Sequence, residues 1–363
     1  MTTLLPDPVR RYAGDEIRDP DFEVSWAGAG PSPGYFYFGS EDGRLRLVAA
    51  EGLVPQNEFP AAKSREAING AASLDQYIAV STRSEFTLWS MPESGEDRRG
   101  EFFAGAHGVI ATASGQFVAP LGHTGLLVVE PKLDAKTPMM LIKPVGDGLY
   151  FYQVVSLDTP GHPETLVCAS RQGGIAALAF PRHDRPDTER VILSRTFPGL
   201  DVIDLCSLGS DLPVPAACAA GKDCTLVFVR DVLSKDDPVT LRFDGVQGTA
   251  YRVMSARGHL FLLTSSSLYI FPGLISRFLN GEPIERQLTL VHALPMEVVD
   301  ANLADDRWLL VVTTEGVRVI DVDLLVGQAP IKEPDREDKE IRPTPSKPLW
   351  KTQGHEITMA PAA

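Results

Sequence analysis

Seven polar residues recur at one position of seven short strand-like segments. The segments are FEVSW (22–26), INGAA (68–72), AHGVI (106–110), YQVVS (152–156), IDLCS (203–207), YRVMS (251–255) and VDANL (299–303). Their second position holds, in chain order, Glu23, Asn69, His107, Gln153, Asp204, Arg252 and Asp300. Carboxylates, a guanidinium and an imidazole can engage a charged loop of a partner protein, transfer protons or ligate a metal ion.

Three interpretations of these seven residues are open. They could solvate the wall of a water-filled channel, because a buried unpaired polar group costs about 1–3 kcal/mol. They could form a recognition ring in which Arg252 and the carboxylates bind a partner protein. Metal binding is the third interpretation, but seven positions around a wide channel rarely bring four ligands within roughly 2.0–2.6 Å of one ion. We therefore expect no metal and no cofactor.

An internal repeat indicates how the chain positions these residues. Seven times, an apolar run is followed by a short turn and a second apolar run, a pattern typical of a β-hairpin. The hairpins lie at 35–48, 77–91, 116–130, 165–180, 215–230, 259–272 and 308–322. Their runs are rich in Val, Leu, Phe and Tyr, which favours strands that are buried on both faces.

Further strand-like segments flank each hairpin, so four strands per unit are predicted. The downstream segments include 101–103, 139–143, 190–194, 239–243 and 287–294. Between Phe22 and Leu324 the unit length is about 43 residues, which is the length of a propeller blade. Residues 274–280 (LISRFLN) predict one or two helical turns. The predicted fold is all-β, a seven-bladed β-propeller with four-stranded antiparallel blades.

The two ends of the chain are predicted to differ from the repeats. The seventh unit has no convincing fourth strand after Val322, whereas PVRRYA (8–13) has no other partner. We therefore expect residues 1–21 to supply the outer strand of the last blade and to cover its edge. The propeller is expected over 22–325, followed by a disordered tail rich in proline and charge over 326–363. Within the tail, Pro348, Leu349 and Trp350 form a candidate docking motif for a partner, and a tail that folds back on the propeller is the alternative.

Three segments carry a resemblance to a known superfamily. FTLWS (86–90), GVRVIDVD (316–323) and GRLRLVAA (43–50) resemble the end of the third strand of a WD repeat. The chain is in this respect similar to the WD-repeat-like β-propellers, with degenerate repeats. That resemblance implies a platform for protein interaction.

Composition narrows the class of function. The chain has 363 residues and a formal net charge of −14, which disfavours a broad surface for nucleic acid or anionic membranes. No apolar run approaches the roughly 18 residues that span a bilayer. Four cysteines are too few for a disulfide scaffold, and Cys218 and Cys224 could face each other across a hairpin as free thiols or, less favourably, as a disulfide. We expect a cytoplasmic protein.

Catalytic motifs are sparse in the sequence. It contains no GxSxG elbow, no HExxH, no Walker phosphate loop and no dinucleotide-binding glycine motif. The predicted function is a non-enzymatic interaction scaffold or adaptor that presents its faces and channel mouth to a protein partner. The alternative is a hydrolase or lyase of the propeller type with His107, Glu23, Asp204 and Asp300 at the channel mouth. The sequence predicts no oligomeric state.

Overall fold

The predicted hairpins fold as antiparallel strand pairs in a computed structural model of the chain. The structure describes residues 15–17, 19, 21–90, 98–102, 105–131, 139–142, 150–170, 174–179, 192–196, 200–209, 212–235, 237–265, 267–284, 290–293 and 297–327. Within these ranges, 28 strands form seven four-stranded antiparallel sheets, which we number in chain order. The first of these strands, β1 (Asp15–Ile17), belongs to the last sheet.

The first four sheets each take four consecutive strands. Sheet 1 contains β2 (Val24–Ala29), β3 (Tyr35–Ser40), β4 (Arg44–Ala49) and β5 (Val54–Pro60). Sheet 2 contains β6 (Ile68–Leu74), β7 (Tyr77–Thr82), β8 (Phe86–Ser90) and β9 (Arg98–Phe102). Sheet 3 contains β10 (Ile110–Ala111), β11 (Phe117–Pro120), β12 (Leu126–Val129) and β13 (Met139–Ile142). Sheet 4 contains β14 (Phe151–Leu157), β15 (Thr165–Ser170), β16 (Gly174–Ala179) and β17 (Ile192–Thr196).

The two α-helices of the described chain accompany the last two sheets, one between β24 and β25 and one after β28. Sheet 5 contains β18 (Val202–Ser207), β19 (Ala217–Gly221), β20 (Leu226–Val229) and β21 (Val239–Leu241). Sheet 6 contains β22 (Ala250–Ala256), β23 (His259–Thr264), β24 (Ser267–Phe271) and β25 (Leu290–Ala293). Sheet 7 contains β26 (Val298–Ala304), β27 (Trp308–Thr313), β28 (Gly316–Asp321) and β1. The helices are α1 (Leu274–Asn280), as the sequence predicts, and α2 (Val322–Gly327).

The strands are apolar on both faces because each sheet is packed between two others. In β23, Leu260 and Leu262 pack into a cluster with sheet 5, whereas Phe261 and Leu263 pack into a cluster with sheet 7. Successive side chains of a strand point to opposite faces, so a run without polar alternation supplies both clusters. The prediction of strands buried on two faces is confirmed.

Each pair of consecutive sheets shares one hydrophobic cluster. The clusters join sheets 1 and 2, 2 and 3, 3 and 4, 4 and 5, 5 and 6, and 6 and 7. A seventh cluster joins sheet 7 to sheet 1, where Phe36 and Phe38 pack with Leu310 and Val312. The first strands follow the same order, since β2, β6, β10, β14, β18, β22 and β26 contact in sequence and β26 also contacts β2.

The outer strand of sheet 7 comes from the N-terminal part of the chain. β1 pairs antiparallel with β28, with Asp15 opposite Val319 and Ile17 opposite Val317. The strand therefore lies within the predicted segment 1–21, but its position is 15–17, and the segment 8–13 lies outside the described residues. Beside it, Asp19 accepts a 2.9 Å hydrogen bond from Arg46, whose guanidinium also pairs with Glu58.

Three details differ from the sequence expectation. The predicted first strand at 106–110 is a strand only at Ile110, because Gly108 takes a φ of 145° and interrupts the extended backbone. The predicted domain boundary at residue 325 falls inside α2, and the rest of the predicted tail lies outside the described residues. All four cysteines are buried free thiols, and Cys218 lies opposite Cys206 on β18 rather than opposite Cys224.

Deletion of residues 1–21 tests the closing role of β1. It removes β1 from the edge of β28 and Asp19 from the buried Arg46, so we expect the melting temperature to fall by about 5–10 °C, as for a loss of a few kcal/mol. Calorimetry measures the shift. Deletion of residues 1–13 keeps β1 and Asp19 and serves as the control. Equal melting of the 1–21 deletion and the full chain would contradict the role of β1.

Candidate functional site

A bulge near the start of the first strand sets the position of the polar residues. In six sheets the ladder between the first and second strands skips one residue, namely Ser25, Asn69, Tyr152, Ile203, Tyr251 and Val299. The residue after the skipped one is Gln153, Asp204, Arg252 and Asp300 in sheets 4 to 7. These four predicted residues therefore share one register position.

The other three predicted residues do not share that position. In sheet 2, Asn69 is the bulge residue itself, and in sheet 1 the corresponding residue is Trp26, so Glu23 lies before β2. His107 precedes β10. The prediction of one seven-membered column is wrong for these residues. Asn69 is displaced by one residue, because a period of two does not reveal where a bulge falls. Glu23 lies three residues before Trp26, and the described ladder of sheet 3 begins only at Ile110.

The strongest polar cluster joins sheets 5, 6 and 7. Arg252 donates from Nε to Asp300 Oδ1 over 2.7 Å, and its Nη1 lies 3.5 Å from Asp204 Oδ1. Asp204 Oδ2 accepts a 2.8 Å hydrogen bond from the backbone N–H of Val253. Asn302 donates to Asp300 Oδ2 over 3.2 Å. One guanidinium thus lies between two carboxylates of neighbouring sheets.

Burial sets the ionisation of this cluster. Asp204 is 2% exposed, and burial raises its pKa to about 6, although Arg252 and two backbone N–H groups oppose the rise. Burial alone would lower the pKa of Arg252, but the negative charges of Asp300 and Asp204 outweigh it, so the pKa is raised. The guanidinium therefore stays charged, while Asp204 titrates near neutrality.

Polar side chains at the first strands connect each sheet to the next. The bonds run from Ser25 to the carbonyl of Ile68 (2.7 Å), from Asn69 to that of Ala106 (2.7 Å), between His107 Nε2 and the Tyr150 hydroxyl (2.5 Å), from Tyr152 to Val202, from Ser255 to Ser207, from Arg252 to Asp300, and from Asn302 to the carbonyl of Ala27 (2.8 Å). The last bond joins sheet 7 to sheet 1. Asn69, His107, Arg252 and Asp300 among the predicted residues are members of this series.

Two large apolar side chains are exposed beside the charged cluster. Tyr251 and Val299 are bulge residues that directly precede Arg252 and Asp300, and they are 43% and 48% exposed. Because Arg252 and Asp300 are hydrogen bonded, their preceding residues lie at neighbouring positions of β22 and β26. We call Tyr251 and Val299 the apolar pair. Sequence inspection missed this pair, since apolar residues at a strand start are typical of core.

Acidic side chains lie at the same end of the sheets. Glu23, Glu41 and Glu297 are exposed where the first strands begin, and Glu41 donates its backbone N–H to the carbonyl of Glu23. The pKa of Glu41 is raised, first by partial burial and second by the negative charge of Glu23. The apolar pair therefore lies at the end of the sheets where Glu23, Glu41 and Glu297 are exposed.

A cavity of about 790 Å³ runs from the charged cluster along the first strands of sheets 4 to 7. One end is polar and includes Asp204, Arg252 and Asn302. The other end lies beside α1 and includes Leu208, Leu212 and Leu279. Its volume is within the range of about 300–1,000 Å³ that holds small ligands or inserted side chains.

Two predicted site elements are not brought to this cluster. The His107 ring bonds Tyr150, whose ring also lies 4.7 Å from that of His123, at sheets 3 and 4. The motif Pro348, Leu349 and Trp350 lies outside the described residues.

Among the side chains that the structure describes, no group of three or more His, Cys, Asp or Glu is arranged to hold a metal ion. No helix in the described ranges is both long and apolar enough to cross a bilayer.

Comparison with known proteins adds no family to these observations. No protein-family model matches the sequence, and no curated protein matches it. The candidate site is therefore defined by its geometry alone.

Replacement of Arg252 by Met tests the cluster. The change leaves Asp204 and Asp300 without their cation, and we expect the free energy of unfolding at pH 8 to fall by about 2–4 kcal/mol. Urea unfolding measures it. Arg257→Met is the matched control, because Arg257 pairs with Asp323 at an exposed position of the same sheet, and its unfolding midpoint should stay near that of the wild type. Equal midpoints for both variants would contradict a stabilising role of Arg252 between the two carboxylates.

Asp204→Asn tests the raised pKa. The folded state favours protonated Asp204, because its pKa is about 6 and that of an unfolded Asp is about 3.9. Its contribution to stability is therefore complete below pH 4 and is lost as the pH rises through about 6. We expect the unfolding free energy of the wild type, relative to Asp204→Asn, to rise by about 1–3 kcal/mol from pH 7.5 to 4.5. Parallel profiles would show that Asp204 keeps an ordinary pKa.

Proposed function

We propose that this chain is a non-enzymatic interaction scaffold built as a seven-bladed β-propeller. Support for the propeller comes from the contacts between sheets 7 and 1, since both the apolar cluster and the Asn302–Ala27 bond join the two ends of the sheet order. In this arrangement each sheet is one blade, and the first strands surround the axis. β1 then covers the outer edge of the last blade.

The proposed family is that of the WD-repeat-like propellers. Its support remains the three sequence segments that resemble the third strand of a WD repeat, of which FTLWS forms β8 and GVRVID forms β28. Propellers of this type serve mainly as platforms, so the family proposal and the functional proposal agree. A cytoplasmic location is proposed on the charge and the sparse cysteines.

The observation that carries the scaffold proposal is the apolar pair beside acidic side chains. A protein interface combines an apolar centre with a polar rim, and aromatic residues are enriched at its centre. Tyr251 and Val299 supply an exposed apolar centre, and Glu297 and Glu23 lie at the same end of the sheets. The partner would therefore be a protein whose contact surface is apolar with basic residues around it.

Residues of the predicted ring have a defined part in this proposal. Asn69, His107, Arg252 and Asp300 are engaged between sheets, which supports a positioning role. Arg252 keeps about a quarter of its side chain exposed, so it could also contact the partner. Glu23 at the rim and Gln153 and Asp204 at the cavity complete the proposed partner-binding set.

A hydrolase or lyase is less well supported. General acid–base chemistry needs a proton-transferring pair within hydrogen-bond reach. His107 bonds Tyr150 at sheets 3 and 4, whereas Asp204 and Asp300 bond Arg252 at sheets 5 to 7. The titratable groups that the enzyme hypothesis combines are thus engaged at two different places.

Substitution of the apolar pair tests the scaffold proposal. We expect the double variant Tyr251→Glu with Val299→Glu to keep its melting temperature and to lose partner recovery at least tenfold. Tagged full-length chains are recovered from native cells, and bound proteins are quantified by mass spectrometry. Val239→Glu changes an apolar side chain of similar exposure on the outer strand of sheet 5 and is the control.

The scaffold proposal requires a partner that the wild type and Val239→Glu recover in near-equal amounts. It is contradicted if the folded double variant recovers the same proteins as the wild type. It is also contradicted if Val239→Glu loses the partner to the same degree.

A further inference from the structure

The cavity beside α1 is amphipathic along its length. Its apolar end is formed by Leu208, Leu212, Ile275 and Leu279, with the exposed Ser276 at the rim. Leu212 and Leu279 are half-buried, so the end is open to an incoming side chain. An occupant of this end must be apolar, because water gains few hydrogen bonds there.

The charges around the cavity select a cationic occupant. Carboxylates of Asp204, Asp300, Asp306 and Asp323 lie at or next to it, against the guanidinium groups of Arg252 and Arg257. Four of these six groups are acidic and two are basic. Asp204 Oδ1 is buried, and the Arg252 guanidinium lies 3.5 Å from it as its counter-charge.

The described chain ends next to this cavity. α2 ends at Gly327, and its Asp323 pairs with Arg257, a residue of the cavity wall. Leu325 of the same helix packs into the cluster between sheets 6 and 7. α2 is thus fixed beside the cavity, and residues 328–363 continue from that place.

The sequence that follows contains a segment with the required chemistry. Residues 347–351 read Lys-Pro-Leu-Trp-Lys, so Leu349 and Trp350 form an apolar pair between two cations. The two lysines are opposite in charge to the carboxylates at the cavity, and the leucine and tryptophan match its apolar end.

We propose that the cavity beside α1 is a docking site for the chain's own segment 347–351. Leu349 and Trp350 would enter the apolar end, and Lys347 and Lys351 would face the carboxylates at the rim. Residues 328–346 can span up to about 60 Å, so the linker reaches easily. A linked segment has an effective concentration of about 1 mM, so an intrinsic dissociation constant of about 0.1 mM docks it about nine-tenths of the time.

Limited trypsin digestion of the full-length chain tests the proposal. The Lys351–Thr352 bond lies in the segment, and Lys339–Glu340 is a reference bond in the same molecule. Cleavage in a rapidly exchanging segment follows the undocked fraction. We therefore expect the rate at Lys351, relative to Lys339, to rise about tenfold in Leu279→Glu, which places a negative charge in the apolar end.

Two further variants keep the test decisive. Ser276→Arg adds a cation at the exposed rim without touching the core, and it should release the segment as well if Leu279→Glu fails to fold. Leu324→Glu is the matched control, since Leu324 is 55% exposed on α2 and outside the cavity wall. It should leave the ratio unchanged.

Equal ratios in the wild type, Leu279→Glu and Ser276→Arg would overturn the proposal. A rise of the same size in Leu324→Glu would also overturn it, because the segment would then contact α2 instead of the cavity. The apolar end of the cavity is at the opposite end of the first strands from Tyr251 and Val299, whereas its polar end shares Gln153 and Asp204 with the proposed partner-binding set. The two proposals are tested by different substitutions and different readouts. Equal cleavage ratios therefore overturn the docked segment alone, and equal partner recovery overturns the partner surface alone.

Discussion

The junctions between neighbouring sheets depend on polar side chains that leave one first strand and bond the next. The apolar clusters on either side of each sheet contribute most of the stability, at about 1.5–3 kcal/mol for each large side chain buried. A hydrogen bond contributes about 0.5–1.5 kcal/mol, but it has a direction and the apolar contact does not. The bonds from Ser25 to Ile68 and from Asn302 to Ala27 therefore fix how the sheets are placed relative to one another. The order of the sheets and the residues exposed at their first strands follow from that placement.

The residue that makes the bond to the next sheet differs along the chain. In sheets 1, 2 and 4 the bulge residue is polar and makes the link itself, as Ser25, Asn69 and Tyr152 do. Between sheets 6 and 7 the residues that follow the bulges make the link, Arg252 to Asp300. The bulge residues of these two sheets therefore do not make the hydrogen bond between the sheets. They are Tyr251 and Val299, whose side chains are exposed.

Much of the architecture is readable from the sequence, and the site is readable only in part. Continuous apolar runs such as HLFLLT predict strands buried on both faces, and seven of them predict seven sheets, because period and turn chemistry are local properties. The fourth strand of sheet 7 was inferred from a missing partner, and β1 occupies that edge. Register is different, since a bulge shifts it by one residue without changing the pattern of residue types. Asn69 is displaced by that one residue, whereas Glu23 lies three residues before the matching Trp26. Arg252 and Asp300 share one register position, as the pattern indicates. The link between His107 and Tyr150 joins distant parts of the chain, so no local pattern could have predicted it.

Hydrogen exchange of the intact chain tests the central claim that sheet 7 closes onto sheet 1. In an open row of sheets the two end members have one free face and exchange first, whereas in a closed arrangement every sheet has two neighbours. The closed arrangement predicts that amides of β3 in sheet 1 and β27 in sheet 7 exchange as slowly as those of β19 in sheet 5, all with the free energy of global unfolding. Exchange of β3 and β27 more than about tenfold faster than β19 under the same conditions would contradict it.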